Sequence, residues 1–284
     1  MYKITFRILI DHISFKYILC ELFRRFNHLI PMSYKHSITF IPLCLLSIGF
    51  GQFGQNIVQY DDFNWNFIQS KHFDIYYAED GRAHAEFTAK EAEAAYLIIA
   101  DRLNWSLKQR VSIIVYNSHN NFQQTNVVDS YMYEGIGGVT ELFKNRVVIP
   151  FDASNMEFKH VIHHELVHAF INDCVYGGNL RNMVANAIKI HIPMWMNEGL
   201  AEYLASGWDT NSEMWIRDMA INGGEFPDIK DLNGYMAYRG GQSVWNFITE
   251  KWGEESIGGI IFQIKKSNNV ETGIKRALGW ISKS

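Results

Sequence analysis

The chain has 284 residues, 48% hydrophobic and 14% aromatic, which is enough apolar material for a buried core and excludes intrinsic disorder. Its formal charge is -4, with lysine and arginine scattered along it and no arginine-rich block, so no nucleic-acid partner is expected. Three cysteines, Cys20, Cys44 and Cys174, are too few and too far apart for a disulfide framework or a cysteine metal site.

Residues 1–31 lack the uninterrupted apolar span of a membrane helix and read as an extension from an upstream start codon. From Met32 the texture changes. A short basic beginning, an apolar run, and the small residues Gly49 and Gly51 before Gln52 have the layout of a signal peptide over 32–51. Export to the periplasm or cell envelope is therefore expected. A buried strand or an anchor over 38–50 is the competing reading, although that run falls short of the ~20 residues a span requires. Pro42 and Leu43 do not make the small-residue approach to a lipidated cysteine, so no lipid anchor is expected at Cys44.

Residues 52–284 show no repeat and no low-complexity linker, and they read as one domain. "HFDIYYAEDG" alternates Phe73, Ile75 and Tyr77 and stops at Gly81, the pattern of a half-buried strand. A helix follows from about Ala83 to Leu103, with Ala95, Ile98, Ile99 and Leu103 as its expected buried stripe. "RVSIIVYNS" is a β-branched strand, and "GGVTELFKNRVVIPF" reads as two strands around a turn at Lys144 and Asn145. "GIGG" at 135–138 fits a flexible loop equally well. Helices are predicted over 156–173, 180–190, 194–206, 211–221, 241–252 and 254–278, the last with a break near Ser267. Strands first and helices afterwards argue for an α+β fold: a small mixed sheet, then a mainly helical half, with the helix over 156–173 between them.

That helix carries "VIHHELVHAF", in which His164, Glu165 and His168 form HExxH. Spacing of i, i+4 brings both imidazoles to one face, where two nitrogens can share one ion. Zinc suits imidazole donors and acidifies a water in its open position, and Glu165 stands where it can accept that water's proton. His160 lies four residues before His164 on the same stripe, so a His160/His164 pair is a geometric alternative, and His163 reads as a packing or supporting residue. Downstream, "PMWMNEGLAEYLASG" places Glu198 and Glu202 at i, i+4 on a second helix opened by Pro193, with Gly199 leaving room for a close neighbour. Glu198 would complete two histidines and one glutamate. Glu202, one turn on, would accept the remaining ring N–H of a ligating histidine.

"HELVH" and "WMNEGLAEY" resemble the gluzincin metallopeptidases, in particular peptidase-MA-like domains and aminopeptidase-N-type enzymes. The resemblance implies a zincin-like fold with His164, His168 and Glu198 as zinc ligands, Glu165 as general base and acid, and Glu202 supporting a ligand. It also implies, through "AYRGGQSVWNFI", a tyrosine over the metal that stabilises an oxyanion: Tyr238, with Tyr235 as the second candidate. A core tyrosine beside a tight helix start is the other reading of Tyr238. In such enzymes an edge strand before the HExxH helix holds extended substrate, and "GGVTELF" occupies that place. The interval between His168 and Glu198 is longer than in the aminopeptidases, and the insert is expected to form an extra helix. Over nearly all of 52–280 the chain also looks like the peptidase-like domain preceding a TolB-like propeller in Bacteroidetes envelope proteins, which implies cell-envelope proteins as partners.

The activity implied is zinc-dependent hydrolysis of peptide or protein substrates. Endopeptidase action is the expectation, because no GxMEN-like segment for capturing a free amino terminus precedes the helix. Two other readings use the same residues: a catalytically silent interaction module, and a zinc hydrolase of a non-peptide amide such as cell-wall material.

Overall fold

Alternating apolar residues on neighbouring strands line up across the sheet: Ile75 pairs with Ile113, and Ile113 with Val147. All three side chains are buried on the same face, because successive strand residues point to opposite sides. The computed structural model describes residues 57–128, 132–142, 144–177, 186–187, 189–223 and 226–279. The expected extension over 1–31 and signal segment over 32–51 lie outside the described residues, as does most of the helix expected over 180–190.

The elements are β1 (Asn66–Gln69), β2 (Phe73–Tyr77), α1 (Arg82–Leu103), β3 (Val111–Tyr116), α2 (His119–Phe122), β4 (Val139–Glu141), β5 (Arg146–Pro150) and α3 (Asn155–Ile171), then α4 (Met194–Ser206), α5 (Thr210–Asn222), α6 (Tyr235–Trp252), α7 (Ser256–Ser267) and α8 (Val270–Ala277). The strands form one sheet in the order β1-β2-β3-β5-β4, with β2-β3 and β3-β5 parallel and both outer pairs antiparallel. This is the expected α+β fold, a mixed sheet followed by a mainly helical half. The strand β1 was not anticipated. Its four residues carry no buried alternation, and only pairing with β2 makes it a strand.

On α1 the buried stripe is Ala85, Ala92, Ala95, Tyr96, Ile99 and Leu103. Ile98, expected in that stripe, is 44% exposed, because the stripe is centred on Ala92, Tyr96, Ile99 and Leu103 and the helical period puts Ile98 well to one side of that line. Helix α3 is capped by the Ser154 hydroxyl, which accepts from the Glu157 backbone N–H at 3.3 Å. It ends at Ile171 and runs on as a π-helical turn, Asn172–Gly177. There the buried Asp173 carboxylate accepts from the Trp105 indole at 2.8 Å and the Lys108 backbone N–H at 3.3 Å, tying the turn to the end of α1. The long helix expected over 254–278 breaks at Asn268, which has a left-handed φ of 54°.

Helix α6 begins at Tyr235, six residues before the expected 241, and so takes Tyr238 into its first turns. Gly240 and Gly241 do not interrupt it: a Cβ on Gly240 would press on the Leu232 side chain, and the missing side chain of Gly241 is what lets α6 lie against α4. A Cβ on Gly199 would sit 2.3 Å from the Gly241 carbonyl carbon, and one on Gly241 would sit 2.0 Å from the Trp195 carbonyl oxygen. The Trp245 indole donates to the Met196 carbonyl at 3.0 Å and pins the same crossing. Gly199→Ala is therefore expected to destabilise the protein by about 3 kcal/mol, the upper end for overpacking, since the obstacle is backbone that cannot swing aside. Chemical denaturation of the two proteins measures the difference. Among the described residues no helix is long and apolar enough to cross a membrane.

Candidate metal centre

One face of α3 drives Phe158, Ile162, Leu166 and Phe170 into the core, and a neighbouring stripe turns His160, His164 and His168 toward α4. The Nε2 atoms of His164 and His168 lie 3.2 Å apart. Glu198 Oε2, from α4, is 3.2 Å from the first and 3.3 Å from the second. Donors bound tetrahedrally at about 2.0–2.2 Å from one ion stand about 3.3–3.6 Å from one another, so this near-equilateral triangle fits a zinc-sized cation. The donor types fit as well, and all three side chains are at least four-fifths buried.

Glu202 sits one turn further along α4. Its Oε1 is 3.0 Å from His164 Nδ1, an approach oblique to the ring that leaves Nδ1 without an aligned hydrogen bond, and 3.2 Å from His160 Nε2. Its Oε2 accepts from Arg239 Nη1 at 3.0 Å, and His160 Nδ1 meets the Ser206 hydroxyl at 2.8 Å. His160, His164 and Glu202 also bring donor atoms within 4.8 Å of each other, the alternative pairing raised by the sequence. A cation there would face the Arg239 guanidinium across the same carboxylate. Among the described residues no lysine or arginine pairs with Glu198, so the triangle of His164, His168 and Glu198 is the better cation site.

Burial alone would lower the His164 pKa, but the adjacent Glu198 and Glu202 carboxylates outweigh it and raise the ring from 6.5 to about 10. Burial likewise acts to raise Glu198 and Glu202. Their histidine partners prevail and hold both well below the usual carboxylate range. His163 points elsewhere, 3.7 Å from Glu91 Oε2, and burial together with Lys159 depresses its pKa, as suits a neutral packing residue.

Glu165 is buried on the flank of α3 that faces β4. Its Oε2 accepts from the Thr140 hydroxyl at 2.6 Å. Tyr238 lays its ring over His164, with centroids 5.9 Å apart and planes 13° from parallel. Burial, and after it the Glu198 carboxylate, pushes the Tyr238 phenol above its ordinary range, so the hydroxyl keeps its proton as a donor. Tyr235 stands at the rim, 57% exposed, and accepts from Arg239 Nε at 3.2 Å. Of the two candidates, Tyr238 is the one the fold sets above the donors.

A cleft of about 500 Å³ opens beside His164, walled by Gly137, Gly138 and Val161 on one side and by Tyr235, Tyr238 and Arg239 on the other. Two of the residues around the centre escaped the sequence reading. Arg239 adjoins Tyr238 in the quoted motif, and only the α6–α4 crossing brings it to Glu202. Thr140 is two positions from Gly138, and strand period places both on the side of Glu165. Of the insert after His168, residues 178–185 and 188 fall outside the described residues, so the extra helix expected there is described only in part.

No curated protein matches the chain. A family model described as the peptidase MA superfamily matches residues 91–283, about two-thirds of the chain, and the match takes in α3, α4 and α6 with every residue of the donor triangle. It agrees with the likeness to gluzincin-type peptidases and does not extend to the propeller-bearing envelope proteins. With the donors in place and the match spanning them, the chain belongs to the peptidase MA superfamily.

Proposed function

We propose that the protein is an exported zinc-dependent metallopeptidase that cleaves peptide bonds within extended segments of its substrates. The observation that carries this is the convergence of His164, His168 and Glu198 from two helices on one point. These residues would hold the ion, and zinc supplies Lewis acidity there, polarising a carbonyl and bringing the pKa of a water towards ~7. Glu165 takes the proton of the attacking water and returns it to the departing amine. The Tyr238 hydroxyl donates to the oxyanion as it develops, which lowers the barrier because the bond is stronger to that charge than to the ground-state carbonyl. Glu202 braces His164 from behind, with Arg239 balancing its charge.

Substrate binding follows from the position of β4. It is the last strand of the sheet, so its outer edge has no strand partner among the described residues and can pair with an extended peptide through main-chain groups. Such pairing is tolerant of sequence. Export is proposed from the signal-like layout of 32–51, and cell-envelope proteins are the proposed partners.

The test is direct. Protein carrying one zinc per chain is expected to cleave casein, lose that activity to a chelator, and regain it on addition of zinc. Zinc-loaded protein that cleaves neither peptides nor cell-wall amides would instead be an interaction module; cleavage of the amides alone would move the substrate class.

A further inference from the structure

Thr140 touches the base and nothing in the metal triangle. Positions 138 and 140 of the edge segment point to the same side, toward α3, and the two residues there are complementary in what they offer Glu165. Gly138 offers space: a Cβ at that position would lie 2.9 Å from Glu165 Cγ and 3.0 Å from Oε1. Thr140 offers a proton. Its hydroxyl is 2.6 Å from Glu165 Oε2 and 3.0 Å from the Glu165 backbone carbonyl. It has a single hydrogen, and the shorter contact, to the carboxyl oxygen, is the stronger claim on it.

We infer that Thr140 is a positioning residue for the general base: its hydroxyl proton engages Oε2 of Glu165, leaving Oε1, in the space beside Gly138, as the oxygen that receives the proton of water. This inference rests on the metallopeptidase reading for its catalytic consequence. The β-branched side chain is stiff at χ1, and the pairing of Thr140 with the fully buried Val147 settles which way it points. A glutamate side chain would otherwise sample several rotamers. Holding one of them before substrate arrives removes an ordering step from the barrier. The strand proposed to bind substrate would then also be the strand that aims the base, so peptide and carboxylate share one reference frame.

Thr140→Val keeps the shape and the strand preference but removes the proton, whereas Thr140→Ser keeps the proton. With one zinc per chain in each protein, the kcat of T140V is expected to fall about tenfold or more, as for loss of a hydrogen bond to a charged group. KM is expected to stay within about twofold, since ground-state binding is untouched. T140S is expected to recover most of the kcat. Gly138→Ala, whose new methyl group would displace the carboxylate, is expected to lower kcat in the same way and serves as the second variant if T140V does not fold. Crystal structures of the zinc-loaded proteins supply a readout that needs no turnover: one Glu165 orientation in wild type and T140S, a turned or divided one in T140V. A T140V protein with wild-type kcat, or with Glu165 unmoved in its crystals, overturns the inference. If the wild-type protein cleaves nothing, the proposed function fails, and the crystallographic comparison still decides the role of Thr140.

Discussion

Glu165→Gln is expected to retain one zinc per chain while kcat for casein or a fluorogenic peptide falls by about 10²–10⁴-fold, the range lost when a general acid–base group is removed. The substitution preserves size, and its amide oxygen can still accept from Thr140, so the pocket remains filled. What disappears is the capacity to take up and return a proton. Zinc should stay, because the triangle of His164, His168 and Glu198 does not include Glu165. Elemental analysis beside steady-state kinetics reads both quantities in one preparation. Cleavage at the wild-type rate would remove Glu165 from the chemistry.

Glu198→Ala acts on the other half of the machinery. Loss of a direct ligand is expected to weaken zinc binding by more than the 10–100-fold typical of outer-shell partners, and Glu202→Gln is expected to fall inside that range. Competition against a chelator of known affinity ranks the two variants. Uptake of zinc by the wild-type protein also has a proton signature. His164, raised from 6.5 to about 10 in the metal-free site, is protonated at pH 7.5 and must give up its proton to become a ligand. Calorimetry in two buffers of different ionisation enthalpy is expected to show release of about one proton per zinc. The same shift sets the pH dependence of the metal-free fold. Since the folded pKa of His164 is raised, its stabilisation is fully present below 6.5 and is lost as pH climbs through about 10. Glu198, depressed from 4.5, contributes above that value and loses its contribution as pH falls below it. A metal-free protein most favoured by this cluster between about pH 4.5 and 6.5, and weakening toward pH 10, is the expected result.

How much of this was legible beforehand follows the range of the forces involved. HExxH is a local statement: i, i+4 on one helix puts His164 and His168 on a common face whatever surrounds them. The strands at Phe73–Tyr77 and Val111–Tyr116, and the helices α3, α4 and α5, likewise announce themselves through period and caps within a few residues. Where neighbours override period, the reading slipped. Ile98 is apolar, yet the stripe through Tyr96, Ile99 and Leu103 leaves it outside; the helix expected to start at Gly241 starts at Tyr235 instead, and Gly241 is the gap that admits α4.

Contacts between distant segments have no local signature, and the centre depends on them. That Glu198 reaches the imidazoles follows from the packing of α4 on α3; that Tyr238 rather than Tyr235 lies above them, and that Arg239 answers Glu202, follow from the glycine-to-glycine crossing of α4 and α6. That Thr140 meets Glu165 follows from sheet order, which sets β4 outermost and beside α3. Side-chain types and their spacing along single elements are written in the chain itself. Which oxygen meets which nitrogen is settled by close packing across elements, because only there do a missing methyl group and a few tenths of an ångström change the outcome.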